Sequence, residues 1–314
     1  MASVLTITLN PTIDVFGEAE AVRPTHKVRL TDSTYEPGGG GINVARVIAT
    51  LGGEVEALSL AGGEMGAFLT RLLEAEAIPH RAIPIAGETR VALMVRDKTS
   101  GLEYRFLPEG PEVTEADIAA CAEAIGAKTE GFVVASGSLP RGAPADSFAR
   151  LAKAAERHAL PFVLDSSGAG LKAALDHGGL FMVKPSLSEL ESYAGHKLEG
   201  PAIAEAAKSL VRNGKARMVA VTLGADGAVL VSGDVTLKLP AIPVTVRSAV
   251  GAGDSFLGTM VWAMARGWPV EQSFRLAMAA GAAATSNAGT TLCKKDEVFR
   301  LFAAAGGKLP EVSR

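Results

Sequence analysis

Short β-branched and aliphatic runs recur along the chain at spacings that leave room for a helix between most of them: VLTITL at 4–9, VEALSL at 55–60, FVVAS at 132–136, FVLD at 162–165, FMVK at 181–184 and VAVTL at 219–223. Stretches with helical periodicity lie near 42–52, 66–76, 114–126, 145–158, 202–213, 254–266 and 270–286. A short, almost wholly apolar run reads as a strand covered on both faces, and a helix between two such strands returns the chain so that they pair in parallel. The pattern predicts an α/β chain folded as a three-layer α/β/α sandwich around a mostly parallel sheet.

Two segments break that rhythm. Residues 14–35 and 88–107 alternate polar and apolar residues, as in KVRLTDSTY and TRVALMVRD, with no helix between the strands. Alternation gives a sheet with one apolar face, which predicts a small antiparallel sheet set apart from the core. That face needs a cover, so the segments are expected to form a lid over a cleft and to join two copies in a homodimer. No repeat, low-complexity tract or long linker divides residues 1–314, which are expected to make a single domain.

Charge and cysteine usage exclude several classes. The 31 Lys and Arg against 34 Asp and Glu leave a formal charge of −3, which speaks against a nucleic-acid or membrane partner. Cys121 and Cys293, the only cysteines, stand far apart, and the five histidines are scattered, so neither a zinc site nor a Cys-His nucleophile is indicated. The N-terminus lacks a basic segment and reaches Asn10, Pro11 and Asp14 too early for a signal peptide, so a cytoplasmic protein is expected. Leu276 to Cys293 is uncharged, but its Ser, Thr, Asn and Gly content suits a buried helix and a turn better than a membrane span.

Five motifs carry chemistry. In SAVGAGDSFLG at 248–258, two glycines precede Asp254 and an apolar helix. Asp254 or Ser255 would cap that helix, or else the amides of Gly251, Ala252 and Gly253 face an anion while Asp254 faces what the anion reacts with. EPGGGGINVAR at 36–46 offers bare backbone to a polar ligand, and Asn43 a donor and acceptor for hydroxyls; Asn43 stands where a dinucleotide fingerprint requires glycine. Asp14 follows the first strand, as either a turn residue or a ligand group at a strand end. Lys184 and Glu189 in VKPSLSEL are either a solvated pair or part of a sparse site for a hydrated magnesium ion. TLGADGA, with Thr222, Gly224 and Gly227, suits a hairpin or a phosphate contact.

Taken in order, NPTID, PGGGGINVA, SGSLP, VKPSLSE, TLGADGA and SAVGAGDSF resemble the PfkB, or ribokinase-like, family of sugar kinases over nearly the whole chain. The stretches EPGGGGINVAR, EYRF at 103–106, SGSLP at 136–140 and LDSSG at 164–168 are most similar to its phosphosugar branch. The resemblance implies a ribokinase-like fold and ATP-dependent phosphorylation of a hexose phosphate, with fructose 6-phosphate ahead of fructose 1-phosphate and tagatose 6-phosphate. It assigns Asp254 as the base and the amides of Gly251, Ala252 and Gly253 as the anion hole. Asp14, Gly39 and Asn43 would hold sugar hydroxyls, and Lys27, Arg90 and Ser138 the sugar phosphate. Thr222, Gly224, Gly227 and Asn287 would contact ATP, with Lys184 near its phosphates and Glu189 organising Mg2+ through water. Ser186, counted with the ATP-side residues, replaces an asparagine of the family pattern, and its shorter hydroxyl would reach the metal-phosphate network through one water. A monovalent cation, K+, would sit near Ser248, Val250, Ala284, Asn287 and Gly289. Two other classes stay open: an NAD-dependent oxidoreductase, against which the broken glycine fingerprint counts, and a non-catalytic sugar-phosphate sensor, against which the intact GAGD counts.

Overall fold

The computed structural model describes residues 2–310 apart from 129 and 234. In chain order its elements are β1 (Val4–Thr8), β2 (Thr12–Ala19), β3 (Thr31–Gly38), α1 (Gly40–Thr50), β4 (Val55–Ala61), α2 (Gly63–Ala75), β5 (His80–Pro84), β6 (Arg90–Asp97), β7 (Glu103–Phe106), α3 (Glu115–Gly126), β8 (Phe132–Ser136) and α4 (Ser147–Arg157). There follow β9 (Phe162–Asp165), α5 (Gly168–His177), β10 (Leu180–Val183), α6 (Leu187–Ala194), α7 (Pro201–Arg212), β11 (Ala216–Thr222), β12 (Ala228–Ser232), β13 (Val235–Leu239), α8 (Ala252–Ala265), α9 (Val270–Thr285) and α10 (Lys295–Ala304).

The central sheet runs β13-β12-β11-β10-β9-β8-β1-β4-β5 and is parallel from β11 to β5. Only the pairings of β12, with β11 and with β13, are antiparallel. Each expected strand run is present, and alternate residues feed opposite faces: Val134 packs with α1, α8 and α9, while Val133 and Ala135 pack with α3, α4 and α5. Two apolar cores with the sheet between them make the three layers. Helix α8 is apolar all round because it lies between α1 and α9, and Ser255 to Ala263 are all buried.

The reading from sequence missed α5, α6, α10, β5, β12 and β13. Helix α6 had a start signal in plain view, since Ser186 and Glu189 form a capping box, the S-x-x-E pattern. Strands β12 and β13 follow β11 as hairpins and so break the strand-helix rhythm that located the others.

A second sheet, ordered β3-β2-β6-β7, is the expected lid. Its outer pairings, β2 with β3 and β6 with β7, are antiparallel hairpins. Its central pairing, β2 with β6, is parallel, because the chain passes through the core between them and re-enters in the same direction. One cross-strand row, Tyr35, Val15, Leu93 and Phe106, shares a face. Tyr35 is 53% exposed and Phe106 55%, so part of the lid's apolar surface meets solvent in one chain.

Candidate active site

The carboxyl ends of the parallel strands supply the floor. Asp165 ends β9 and Lys184 follows β10, and Lys184 Nζ lies 3.1 Å from Asp165 Oδ2 with both side chains largely buried. Burial alone would lower the Lys184 ammonium, but Asp165, joined by Asp254 and Glu189, outweighs it and holds the group above its usual range. A Cβ added to Gly253 would lie 3.4 Å from Lys184 Nζ, so the ammonium rests against the backbone at the start of α8. Asp165 was not picked out from sequence, although a carboxylate closing a buried parallel strand is the same signal that singled out Asp14.

Helix α8 begins without a side-chain cap. Its N-cap is Gly251, whose φ of 72° is left-handed, and a Cβ there would come within 2.6 Å of Leu292 Cδ2. Ser255 accepts from the amide of Cys293, and Asp254 accepts from Asn43 Nδ2 at 2.8 Å. The capping explanation for this motif is therefore overturned. The first amides of α8 face the floor formed by Lys184, where the partial positive charge of the helix start favours an anion. Burial, with Asp165 adding repulsion, raises the Asp254 carboxyl from 3.8 to about 6, and Asn43 and Lys184 pull the other way.

Asp14 is a lid residue on β2, paired with Glu36 across the hairpin, and not a turn residue. Burial and Glu36 raise it to about 6, against Arg46 and Arg90. A Cβ on Gly38 would fall on the Asp14 carboxylate, so bare backbone at that glycine gives the acid its place. Gly39 is the N-cap of α1, four residues before the Asn43 amide that donates back to its carbonyl. Arg46 ties the glycine loop down through Glu36, Glu76 and the carbonyl of Pro37.

Arg90 opens β6 opposite Thr12. Its Nη1 donates to Pro108 O and its Nη2 to Asn10 O, each at 2.9 Å, while Nε is buried without a partner. Asn10 donates to Ser138 Oγ at 3.4 Å and so links Ser138 to Arg90; it was quoted within NPTID but given no role. Lys27 does not join them. It is exposed in the loop between β2 and β3, beyond the end where Glu18 pairs with Thr31, whereas Arg90 stands at the Thr12 end. At ~3.3 Å per residue, β2 separates the two by roughly 23 Å. One phosphate bridging both cations within a single chain does not fit this arrangement.

On the far side of Lys184, Glu189 Oε2 accepts from the amide of Ser186 at 2.7 Å, and Ser186 Oγ accepts from the amide of Glu189. Ser186 is thus the N-cap of α6, and Glu189 keeps only Oε1 for a hydrated ion. No cluster of three or more metal-ligating side chains occurs among the described residues. Thr222 ends β11, its amide bonded to Pro185 O, and a 3-10 turn at Gly224–Asp226 closes the hairpin to β12. A Cβ on Gly224 would meet open space, whereas one on Gly227 would strike Leu239 O, so Gly227 serves the hairpin's own packing. A cavity of about 750 Å³ lies between loop 239–247 and helices α9 and α10, lined by Ile242, Val244, Arg247, Met278, Ser286 and Arg300; Asp254 is not part of its wall. Beside Asp14, where Met94 of the lid meets Val250 and Thr290 of the core, only about 30 Å³ is left, room for one water.

The residues proposed for a monovalent cation lie on the loop before α8 (Ser248, Val250), in the last turn of α9 (Ala284) and on the loop that follows it (Asn287, Gly289). The amides of Arg247 and Ser248 donate to Thr285 O, and Asn287 Nδ2 donates to Ala283 O and Leu292 O. Ala284 O is occupied by the amide of Asn287, and Gly289 lies against the ring of Phe16 from the lid. Oxygen donors predominate there, with no thiol or imidazole, which fits a hard cation.

The model of the pfkB family carbohydrate kinases matches residues 4–297. The ATP-dependent 6-phosphofructokinase isozyme 2 of Mycobacterium tuberculosis is 40% identical over 305 residues, covering 96% of this chain and 89% of its own length. The structure of phosphofructokinase-2 from Escherichia coli in complex with potassium superposes with a TM-score of 0.94 at 37% identity, covering 98% of this chain and all of its own. The complex of that enzyme with fructose-6-phosphate gives 0.92 at 36%, with the same coverage. A match of this extent makes the chain a member of the pfkB family of carbohydrate kinases.

Proposed function

We propose that the chain transfers the γ-phosphoryl group of ATP to fructose 6-phosphate, giving fructose 1,6-bisphosphate and ADP. The observation that carries this reading is Asp254, half-buried at the uncapped start of α8, held by Asn43 and next in sequence to Gly253, against whose backbone the Lys184 ammonium that would receive the phosphates rests. The names of the relatives and the fructose-6-phosphate complex support the choice of sugar.

The chemistry follows from this placement. Asp254 accepts the proton of the sugar's free primary hydroxyl as its oxygen bonds to the γ-phosphorus and the bond to ADP breaks. A carboxylate near 6 is a better base than one near 4 and is still mostly ionised at neutral pH. The amides of Gly251, Ala252 and Gly253 and the ammonium of Lys184 stabilise charge on the transferring group, with Asp165 holding Lys184 in place. Asp14 and Asn43 orient sugar hydroxyls, and Arg90 and Ser138 face its phosphate. Thr222, Gly224 and Asn287 bound the nucleotide side. Mg2+, which neutralises phosphate charge, would be held through water by the free oxygen of Glu189.

We propose that the lid lifts to admit the sugar and closes over it. We propose a dimer through the exposed lid face. In such a pair Lys27, at the far end of its own lid, is free to reach the partner's cleft. ATP and hexose phosphates place the work in the cytoplasm.

An ATP-consumption assay with fructose 6-phosphate, fructose 1-phosphate, tagatose 6-phosphate and fructose tests the assignment. Fructose 6-phosphate should give the highest kcat/KM. A higher value for either of the other phosphohexoses reassigns the substrate, and turnover of none of them removes the kinase reading.

A further inference from the structure

Glu103, the first residue of β7, takes no part in the site described above, yet it joins the lid to the loop that leads into α8. Its Oε2 accepts from Ser248 Oγ at 3.2 Å, and Ser248 Oγ accepts in turn from the amide of Val250 at 3.3 Å. Ser248 is buried. The other carboxylate oxygen, Oε1, is shut off from solvent and has no hydrogen-bond partner. Among the described residues no lysine, arginine or histidine pairs with it. A carboxylate oxygen withdrawn from water without a donor or a cation is unfavourable and seldom left so, which means a positive charge belongs beside it.

The surroundings narrow the kind of charge. Ser248 and Val250 lie on one loop and Asn287 and Gly289 on the next, joined by the bonds of Arg247 and Ser248 to Thr285 O. These groups offer neutral oxygens. Neutral oxygens with one carboxylate suit a weakly charged, hard ion better than a divalent one, which takes more anionic ligands.

We infer that Glu103 is the lid's own ligand for the monovalent cation proposed on these loops, supplying the one formal charge that Ser248, Val250, Ala284, Asn287 and Gly289 lack. The inference rests on the cation reading and goes beyond it, because it makes the site complete only when the lid is down. The loop runs from Ser248 directly to Gly251, the N-cap of α8. Cation binding therefore favours the closed lid and holds the anion hole, and a sugar phosphate that closes the lid tightens the cation by the same factor.

Thermal unfolding without substrates tests this, comparing the wild type with Glu103→Gln in KCl and in tetramethylammonium chloride at equal ionic strength. Glutamine keeps the size of the side chain and an acceptor for Ser248 but removes the charge. The wild type should gain Tm in K+. Glu103→Gln should lose that gain, or need about tenfold more K+ for half of it. In tetramethylammonium the variant should be at least as stable as the wild type, because it no longer carries an unpaired carboxylate. A contact with a purely structural role would lower Tm in both salts. Glu103→Asp, with its charge on a shorter arm, should recover part of the K+ gain. An equal K+ gain in wild type and Glu103→Gln would overturn the role of Glu103 and leave the cation reading standing, whereas no K+ gain in the wild type would remove both.

Discussion

Asn43 and Asp254 are 211 positions apart in the chain, and Asn43 Nδ2 donates to Asp254 Oδ2 at 2.8 Å. The bond crosses from the first turn of α1 to the first turn of α8, two helices packed side by side. It favours the ionised carboxylate at a place where burial opposes ionisation. The orientation and the proton affinity of Asp254 both depend on it.

Asp254→Asn should cut kcat by the ~10² to 10⁴-fold typical of losing a general base, with ATP and sugar binding nearly unchanged. The same substitution should stabilise the fold. Because the folded-state value is raised from 3.8 to about 6, the stability linked to this group is fully present below 3.8 and is lost as pH rises through about 6. At pH 7.5 the ionised, half-buried carboxylate therefore weighs against folding by at most about 3 kcal/mol. Calorimetry at pH 7.5 and pH 4 should show a Tm gain for the variant that shrinks at the lower pH. Wild-type turnover, or a gain that grows on acidification, would contradict the role.

Asn43→Leu removes a hydrogen bond to the charged form while keeping a similar volume. The acid limb of the kcat profile, expected near pH 6 in the wild type, should move to higher pH. Activity should fall as pH drops because the base is protonated. An unmoved limb would mean that another group, with Asp14 the first candidate, sets it.

Arg90→Ala should lower kcat/KM for fructose 6-phosphate by about 10 to 10², at ~1.5 to 3 kcal/mol per hydrogen bond to a charged group, and leave slow turnover of unphosphorylated fructose nearly unchanged. Both terminal nitrogens already bind backbone carbonyls, so a stability measurement must accompany the kinetics. Lys27→Ala should show the same selective loss only in an enzyme that forms dimers, since its own Arg90 is at the other end of β2. Equal falls for the two sugars would mean that these cations do not read the phosphate.

The exposed rings of Tyr35 and Phe106 share a row of the lid sheet, and covering them predicts a dimer by light scattering. Phe106→Glu should shift the mass to that of a monomer. An active, monodisperse wild-type monomer at micromolar concentration would exclude the lid as an interface.

Much of this was written locally. Apolar runs such as FVVAS and the interrupted rhythm of residues 14–35 and 88–107 identified the parallel strands and the lid, because strand and helix periodicity are set by neighbouring side chains. The order of the glycine motifs pointed to the kinase family in the same way, and Gly38 and Gly251 prove to be glycines for reasons of backbone and close approach. What the sequence could not state is which distant residues meet. The bond from Asn43 to Asp254, the Asp165 carboxylate under Lys184, the separation of Lys27 from Arg90 and the link from Glu103 to Ser248 follow from strand order and register. The elevated carboxyls of Asp14 and Asp254 arise from desolvation, a sum over every atom packed around them. Local pattern determines the elements, and pairing across the folded chain decides the site, because burial and charge act through space while the sequence orders residues only along the chain.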